Sequence, residues 1–338
     1  MATVLETASV VPGGTTLADL PRLLPLLREL NDLKRVKVAG VEGSMAEQLF
    51  ARSWQALVAG EDATTIALRE TARALVAVRL PGYTVPLLTS LGMSAEEAEA
   101  TLQQALLSAG VPLAPALLAE LQAALVMEAL DGPTETLLPA APAFVAQLAA
   151  QPRAGATHPG RPRIMLIPTE SHADHCALVA VYAVLLSPIF SAKPGEAFLT
   201  ALAHHLHNAT LPDPGFAGDE LLGHRLPTLM HQATALTLTQ LPPSVRHSTE
   251  AALLRTRTLD SPAAEAFHAA DVFDRTLEMA WHDQSARFRL HQALDDLNIV
   301  HAGFTQTFHQ QVLGAAGLLP EVFSPGAGIV SHSSGLKS

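Results

Sequence analysis

Histidines are concentrated in the second half of this 338-residue chain. The sequence holds 15 of them; none precedes residue 158, and 13 fall between His172 and His309. Histidine is a frequent metal ligand and the side chain that titrates closest to neutral pH. The distribution therefore predicts that the chemistry of this protein lies in its C-terminal half.

Two pairs of histidines have spacings that suit a shared site. His172 and His175 stand three residues apart at the start of a predicted helix, so they share one of its faces. His204 and His205 are consecutive at the end of a predicted apolar helix, where His205 is offset by about 100° from its neighbour. Both pairs are candidates for a functional site. For His172 three roles stay open, namely capping its helix, lying at the rim of a cleft or binding a metal ion.

Further candidates follow along the chain. His224 and His231 are seven residues apart, so they are stacked if a single helix spans them. His268, Asp271 and Arg275 lie on one stripe of a later predicted helix. A carboxylate beside several imidazoles is a typical donor set for a first-row divalent ion.

The order of these groups resembles the fingerprint of the HD-domain superfamily of metal-dependent phosphohydrolases. That fingerprint is a histidine on one helix, a His-Asp doublet on a later helix and a distal aspartate. His175 followed by Val179 and Ala180 is similar to the first histidine motif of the family. Residues 203–206 (AHHL) stand in place of its "HD-L-G", and residues 269–274 (AADVFD) resemble its "AD-x-L-D".

The resemblance covers roughly residues 170–285 and implies an HD-like helical bundle that binds a divalent metal ion such as Mn, Fe, Mg or Zn. The implied metal ligands are His175, His204 and Asp271, with His205 or His224 completing the shell. Such an ion would lower the pKa of a bound water and polarise a phosphoryl oxygen.

Two residues beside the implied ligands are expected to act on the substrate. Arg275, one turn beyond Asp271, is expected to clamp a phosphate. His268, on the same stripe, is expected to take part in catalysis. An ion pair of Arg275 with Asp271 or Asp274 is the alternative role of the guanidinium group.

The sequence departs from the family pattern at the doublet, where His205 replaces the aspartate. A neutral imidazole does not bridge two metals and adds no negative charge to offset a dication. Asp213 or Asp219, in the following loop, is an alternative source of a carboxylate.

The leading interpretation is hydrolysis of a small phosphorylated molecule or nucleotide. Two alternatives stay open. A catalytically degenerate HD domain that serves as a ligand sensor or interaction module is favoured by the missing aspartate. An HD-type di-iron oxygenase is favoured by the extra histidines.

Composition excludes several other classes of protein. A net charge of −11 disfavours binding to nucleic acid, because phosphates would meet a repulsive surface. A single cysteine rules out an internal disulfide. We find no uncharged apolar stretch of about 18 residues and no signal-peptide pattern, so we expect a cytoplasmic protein without a membrane partner. Homo-oligomer formation is left open.

The fold class follows from the abundance of alanine and leucine and from only 4% aromatic residues, which favour helices. We expect an all-α protein with a helical domain of unknown role at 1–150, a linker at 151–163, the HD-like domain at 164–320 and a disordered tail at 321–338. Capping boxes at Ser44 and Ser94 mark two helix starts. The predicted helices are 17–30, 44–59, 63–79, 94–110 and 114–130, then 172–187, 196–209, 220–241, 245–258, 262–286 and 300–314.

Overall fold

The computed structural model describes residues 16–131, 139–155, 167–286 and 300–319. The regular structure within these ranges is helical and contains no strand, which confirms the all-α prediction. Residues 156–163 of the predicted linker and the predicted tail at 321–338 lie outside the described residues. The subdivision into two domains stays a prediction.

The helices of the described chain are numbered here in order. They are α1 Leu20–Asn31, α2 Met45–Ala59, α3 Ala63–Arg79, α4 Val85–Ser90, α5 Ala95–Ala109, α6 Pro115–Asp131, α7 Ala143–Ala150, α8 His172–Phe190, α9 Pro194–Ala203, α10 Gly215–Leu222, α11 Leu226–Leu238, α12 Pro243–Arg255, α13 Pro262–Ala286 and α14 Gln306–Ala315. Short 3-10 helices adjoin them at Leu17–Asp19, Asp32–Lys34, Leu206–Ala209 and Gly223–Arg225.

Capping boxes fix the starts of three of these helices. Ser44 and Ser94 begin α2 and α5 as predicted, and Ser171 begins α8 in the same way. In α8 the Ser171 hydroxyl accepts from the backbone N–H of Asp174, and the Asp174 carboxylate accepts from the Ser171 N–H. Two backbone donors that a helix start leaves unpaired are thereby satisfied. This cap sets the position of His172 and His175 in the first turn of α8.

Helix α8 forms the centre of the molecule. Its residues from His172 to Ser187 are buried, and it packs against α2, α9 and α13. By length and composition it could cross a membrane, with a mean hydropathy of 1.7 over its most apolar window. However, 83% of that window is buried inside the protein, as is usual for a central core helix.

One apolar core joins helices from both halves of the chain. Trp54 of α2 packs edge to face against Phe144 of α7, with ring centroids 4.9 Å apart. The same cluster of buried residues contains Phe198 of α9 and Phe273 of α13. Since α2 and α3 also pack against α8 and α9, the N-terminal helices support the element that carries the first candidate ligands.

The predicted helix at 220–241 is interrupted in the structure. Gly223 adopts φ +49° and ψ −127°, a conformation that side-chain-bearing residues rarely adopt. The chain therefore leaves α10, forms one 3-10 turn and starts α11 at Leu226. The predicted helix at 300–314 likewise begins later, at Gln306.

Candidate metal centre

The candidate ligands come from three helices that pack together. His175 lies on α8, Asp271 on α13, and His204 and His205 at the end of α9. Helix α9 ends at Ala203, so His205 already departs from helical geometry, at φ −107° and ψ 20°. This break brings two consecutive histidines into one cluster, which a continuous helix would not do.

The ligand atoms of these side chains converge on one point. Nε2 of His175 is 3.1 Å from Nε2 of His204 and 3.3 Å from Oδ1 of Asp271. The distance from Nε2 of His204 to the same oxygen is 3.9 Å. One ligand atom each from His175, His204 and His205 lies within 4.8 Å of the other two. The structure therefore brings together four of the five predicted metal ligands.

His175 and His204 each use the ring nitrogen Nδ1 as a hydrogen-bond donor. Nδ1 of His175 is 2.6 Å from Oδ2 of Asp274, and Nδ1 of His204 is 2.5 Å from the carbonyl oxygen of Ala201. A carboxylate and a carbonyl only accept hydrogen bonds, so both Nδ1 atoms carry the proton. When each ring carries one proton, both Nε2 atoms therefore present lone pairs toward each other.

His205 is oriented in the same manner. Its Nδ1 lies 2.9 Å from Oδ1 of Asn208. The Asn208 amide nitrogen donates to the carbonyl of Leu211, which fixes the amide with its oxygen toward the imidazole. Nε2 of His205 is therefore the unprotonated atom. Such outer hydrogen bonds to the second ring nitrogen accompany most metal-binding histidines.

The surroundings favour the neutral imidazoles of His204 and His205 and the charged carboxylate of Asp271. Burial lowers the pKa of His204 to about 3, and burial together with the neighbouring histidines lowers the pKa of His205 well below its usual value. Burial alone would raise the pKa of Asp271, but Arg275 together with His175 and His204 outweighs this and holds it well below the usual range. Nη2 of Arg275 lies 3.0 Å from Oδ2 of Asp271, which leaves Oδ1 facing the histidines.

These residues fit a divalent ion. With metal–nitrogen distances of about 2.0–2.1 Å, two ligands of a tetrahedral ion lie about 3.4 Å apart. The measured separations of 3.1, 3.3 and 3.9 Å span that value. A cation between the two facing lone pairs would also remove their repulsion. A donor set rich in imidazole favours zinc or iron over magnesium.

A second group of possible ligands, Glu170, His175 and Asp274, already contains a cation. The ammonium group of Lys34 lies 2.5 Å from Oε1 of Glu170 and 2.8 Å from Oδ1 of Asp274. It also lies 3.5 Å from Oε2 of Glu278. We therefore interpret this group as a buried ion-pair network. Its Asp274 carboxylate binds Nδ1 of His175 and so orients the imidazole.

The sequence interpretation missed this network. Asp274 follows Asp271 by three residues on α13, and that spacing is a signal that both carboxylates share a face. Lys34 gives no such signal, because it is 240 residues from Asp274 and lies in the half to which no chemistry was assigned.

The predicted catalytic residues lie on the wall of a cavity beside the cluster. This cavity has a volume of about 580 Å³ and is lined by both His268 and Arg275. Nε2 of His268 is 3.1 Å from the carbonyl of Thr258, so it is the donor and Nδ1 is the free acceptor. Burial lowers the pKa of His268. The expected ion pair of Arg275 with Asp271 is also present.

The structure does not bring His224 to the cluster. It lies exposed on the 3-10 turn that Gly223 starts, and the exposed His231 follows on α11. The expected stacking of the two residues depended on one continuous helix. The glycine breaks that helix. Of the two residues implied to complete the metal shell, the structure places His205, and not His224, beside His175 and His204.

His172 and the loop residues Asp213 and Asp219 lie next to the histidine cluster. Asp213 accepts hydrogen bonds from the backbone N–H groups of Ala154 and Gly215, each at 3.0 Å. Nε2 of His172 is 3.6 Å from Oδ2 of Asp213, and its ring centroid is 4.8 Å from that of His205. Burial lowers the pKa of His172 far below its usual value. Asp213 thus binds the loop backbone, and Asp219 lines the cavity.

No protein-family model matches the chain, and neither curated proteins nor solved structures show significant similarity to it. The resemblance to the HD-domain superfamily therefore stays a prediction. What the described residues establish is an all-α protein in which His175, His204 and His205 form a group that could hold a metal ion, with Oδ1 of Asp271 3.3 Å from Nε2 of His175.

Proposed function

We propose that this chain is a metal-dependent phosphohydrolase whose C-terminal helices form an HD-like bundle, and that it acts on a small phosphorylated molecule. One observation carries the proposal: Nε2 atoms of His175 and His204 and Oδ1 of Asp271 converge within 3.9 Å. Both imidazoles are held in the metal-binding tautomer by acceptors on their other nitrogen.

A bound divalent ion supplies Lewis acidity and a water of lowered pKa at this position. The ionised Asp271 carboxylate contributes a negative charge, which an imidazole ligand does not supply. Hydrolysis adds the oxygen of water to phosphorus, breaks the phosphorus–oxygen ester bond and leaves the proton on the departing alcohol.

The chain's own residues position the substrate and the protons. Arg275 reaches the cavity wall with its guanidinium group and offers donors to a phosphoryl oxygen. Nδ1 of His268 is an acceptor in the same cavity and is placed to take a proton. His205 supplies a neutral donor where the family pattern has a bridging carboxylate, which supports a centre with a single ion.

The test is metal content and phosphatase activity of protein purified without chelator. We expect about one equivalent of metal in the parent protein and its loss in His204→Ala and Asp271→Ala, together with metal-dependent hydrolysis. His224→Ala is the matched control, because it removes an exposed histidine outside the cluster.

Two results would overturn the proposal. One is protein that takes up no metal even after reconstitution. The other is full hydrolytic activity in His204→Ala.

A further inference from the structure

A second arginine lies on the wall of the cavity beside the candidate metal centre. Arg153 lines this space together with Arg275, His204 and Asp271. Its backbone N–H donates to the carbonyl of Glu170 at 2.9 Å. Residues 151–153 thus run beside the segment that starts α8, and the pairing fixes Arg153 next to the first candidate ligands.

The guanidinium group of Arg153 is only partly paired. Its Nε lies 3.4 Å from Oε2 of Glu170, whose other oxygen is held by Lys34. Nη1 is buried and has no hydrogen-bond partner among the described residues. A buried charged donor without a partner is costly, so an acceptor from a ligand is expected at this position.

Both arginines line the cavity to which His204 and Asp271 of the candidate metal centre also belong. Arg275 lies against Asp271, with Nη2 3.0 Å from Oδ2. Two guanidinium groups beside the metal-binding cluster form a natural binding site for a tetrahedral oxyanion.

The remainder of the wall is unsuited to a highly charged ligand. Its apolar side chains include Phe216, Leu226, Met230, Phe267 and Met279. The carboxylates of Asp213 and Asp219 line the same cavity. A chain of phosphates would place several negative charges near these acids, whereas an apolar group would be buried against the aromatic and aliphatic side chains.

We infer that Arg153 and Arg275 together bind the phosphoryl group of a phosphate monoester whose alcohol is apolar, and that the cavity selects this class over polyphosphates. The inference rests on the proposed function and names its substrate class. Arg153 acts here as a substrate-binding residue that directs the phosphoryl group toward the metal.

The test uses phosphonates, because their phosphorus–carbon bond resists hydrolysis and binding is then measured without turnover. Calorimetric titration of the metal-loaded protein is carried out with phenylphosphonate, methylphosphonate and tripolyphosphate. We expect phenylphosphonate to bind about tenfold more tightly than methylphosphonate, since the ring buries apolar surface. We also expect it to bind more tightly than tripolyphosphate.

The variant Arg153→Gln should weaken phenylphosphonate binding about tenfold, the usual effect of losing a hydrogen bond to a charged group. Arg79→Gln is the matched control, because Arg79 pairs with Glu29 at the surface, away from the cavity. If Arg153→Gln does not fold, Arg153→Lys replaces it. Lysine keeps the charge but loses the planar fork, and we expect a loss of at least about threefold.

The outcomes separate this inference from the proposed function. Parent protein that binds no metal would overturn the proposed function. With metal bound, equal phenylphosphonate affinity in the parent and the Arg153 variant would overturn the role of Arg153. Tighter binding of tripolyphosphate than of phenylphosphonate would overturn the substrate class.

Discussion

Replacing Lys34 with methionine should destabilise the fold and weaken metal binding together. The Lys34 side chain is 2% exposed and contacts the carboxylates of Glu170, Asp274 and Glu278. Removing one partner of a buried ion pair typically costs about 3–5 kcal/mol, because the remaining charge is left uncompensated. Arg35 still pairs with Glu278 and Arg153 with Glu170, so the loss falls mainly on Asp274.

Lys34 affects metal binding through Asp274, whose carboxylate binds Nδ1 of His175. Burial would raise the pKa of this carboxyl, and Lys34 is the largest influence that instead lowers it. Without the ammonium group the carboxylate is less stable, and it orients His175 less firmly. Loss of such an orienting partner commonly weakens metal affinity about 10–100-fold.

The assay combines urea unfolding, followed by circular dichroism, with metal affinity from chelator competition. Lys193→Met is the control, since Lys193 is 80% exposed and its pair with Glu196 contributes less than about 1 kcal/mol. A loss below about 1 kcal/mol in Lys34→Met, or an unchanged metal affinity, would refute the reasoning. Asp274→Asn, which keeps the shape of the side chain, should reproduce the weaker metal binding.

Three further predictions concern buried polar groups. Tyr182→Phe should cost about 1 kcal/mol in urea unfolding, because the buried hydroxyl donates to the carbonyl of Leu27 at 2.7 Å; an unchanged midpoint would contradict this. In metal-free protein, the free energy of unfolding should fall as pH drops from 7 to 5.5, by about 1 kcal/mol for each of His204 and His205. Their pKa values are lowered in the folded state, so only the unfolded chain takes up protons in this range, and pH-independent stability would refute the assignment. Cys176 should react with a thiol reagent only on unfolding, since burial raises its pKa; rapid labelling of the native protein would contradict this.

Local signals in the sequence predicted much of the helical structure. The serines at 44 and 94 identified helix starts because a capping box depends on residues three positions apart. Helix α7 was missed, since Ala143–Ala150 is short and Pro142 before it provides no side-chain cap. A helix start with a side-chain cap nearby in the sequence was therefore predictable, whereas a short helix without such a cap was not.

The site itself was predictable only in part. His175, His204, His205 and Asp271 were identified by residue type and order, and the structure places them together. His224 lies apart from these residues, because Gly223 redirects the chain. Long-range partners such as Lys34 leave no periodic trace in the sequence, since packing of distant helices creates their contacts.

The distance along the chain between Lys34 and Asp274 has a consequence for biosynthesis. During translation the histidines of α8 and α9 are made well before Asp271 and Asp274, while the lysine that stabilises Asp274 is made first of all. Contacts between such distant segments form late in folding, because closing a long loop is entropically costly. A growing chain that ends before Asp271 therefore lacks one of the proposed ligands. Under the proposed function, tight metal uptake requires that α13 has been made and packed against α8.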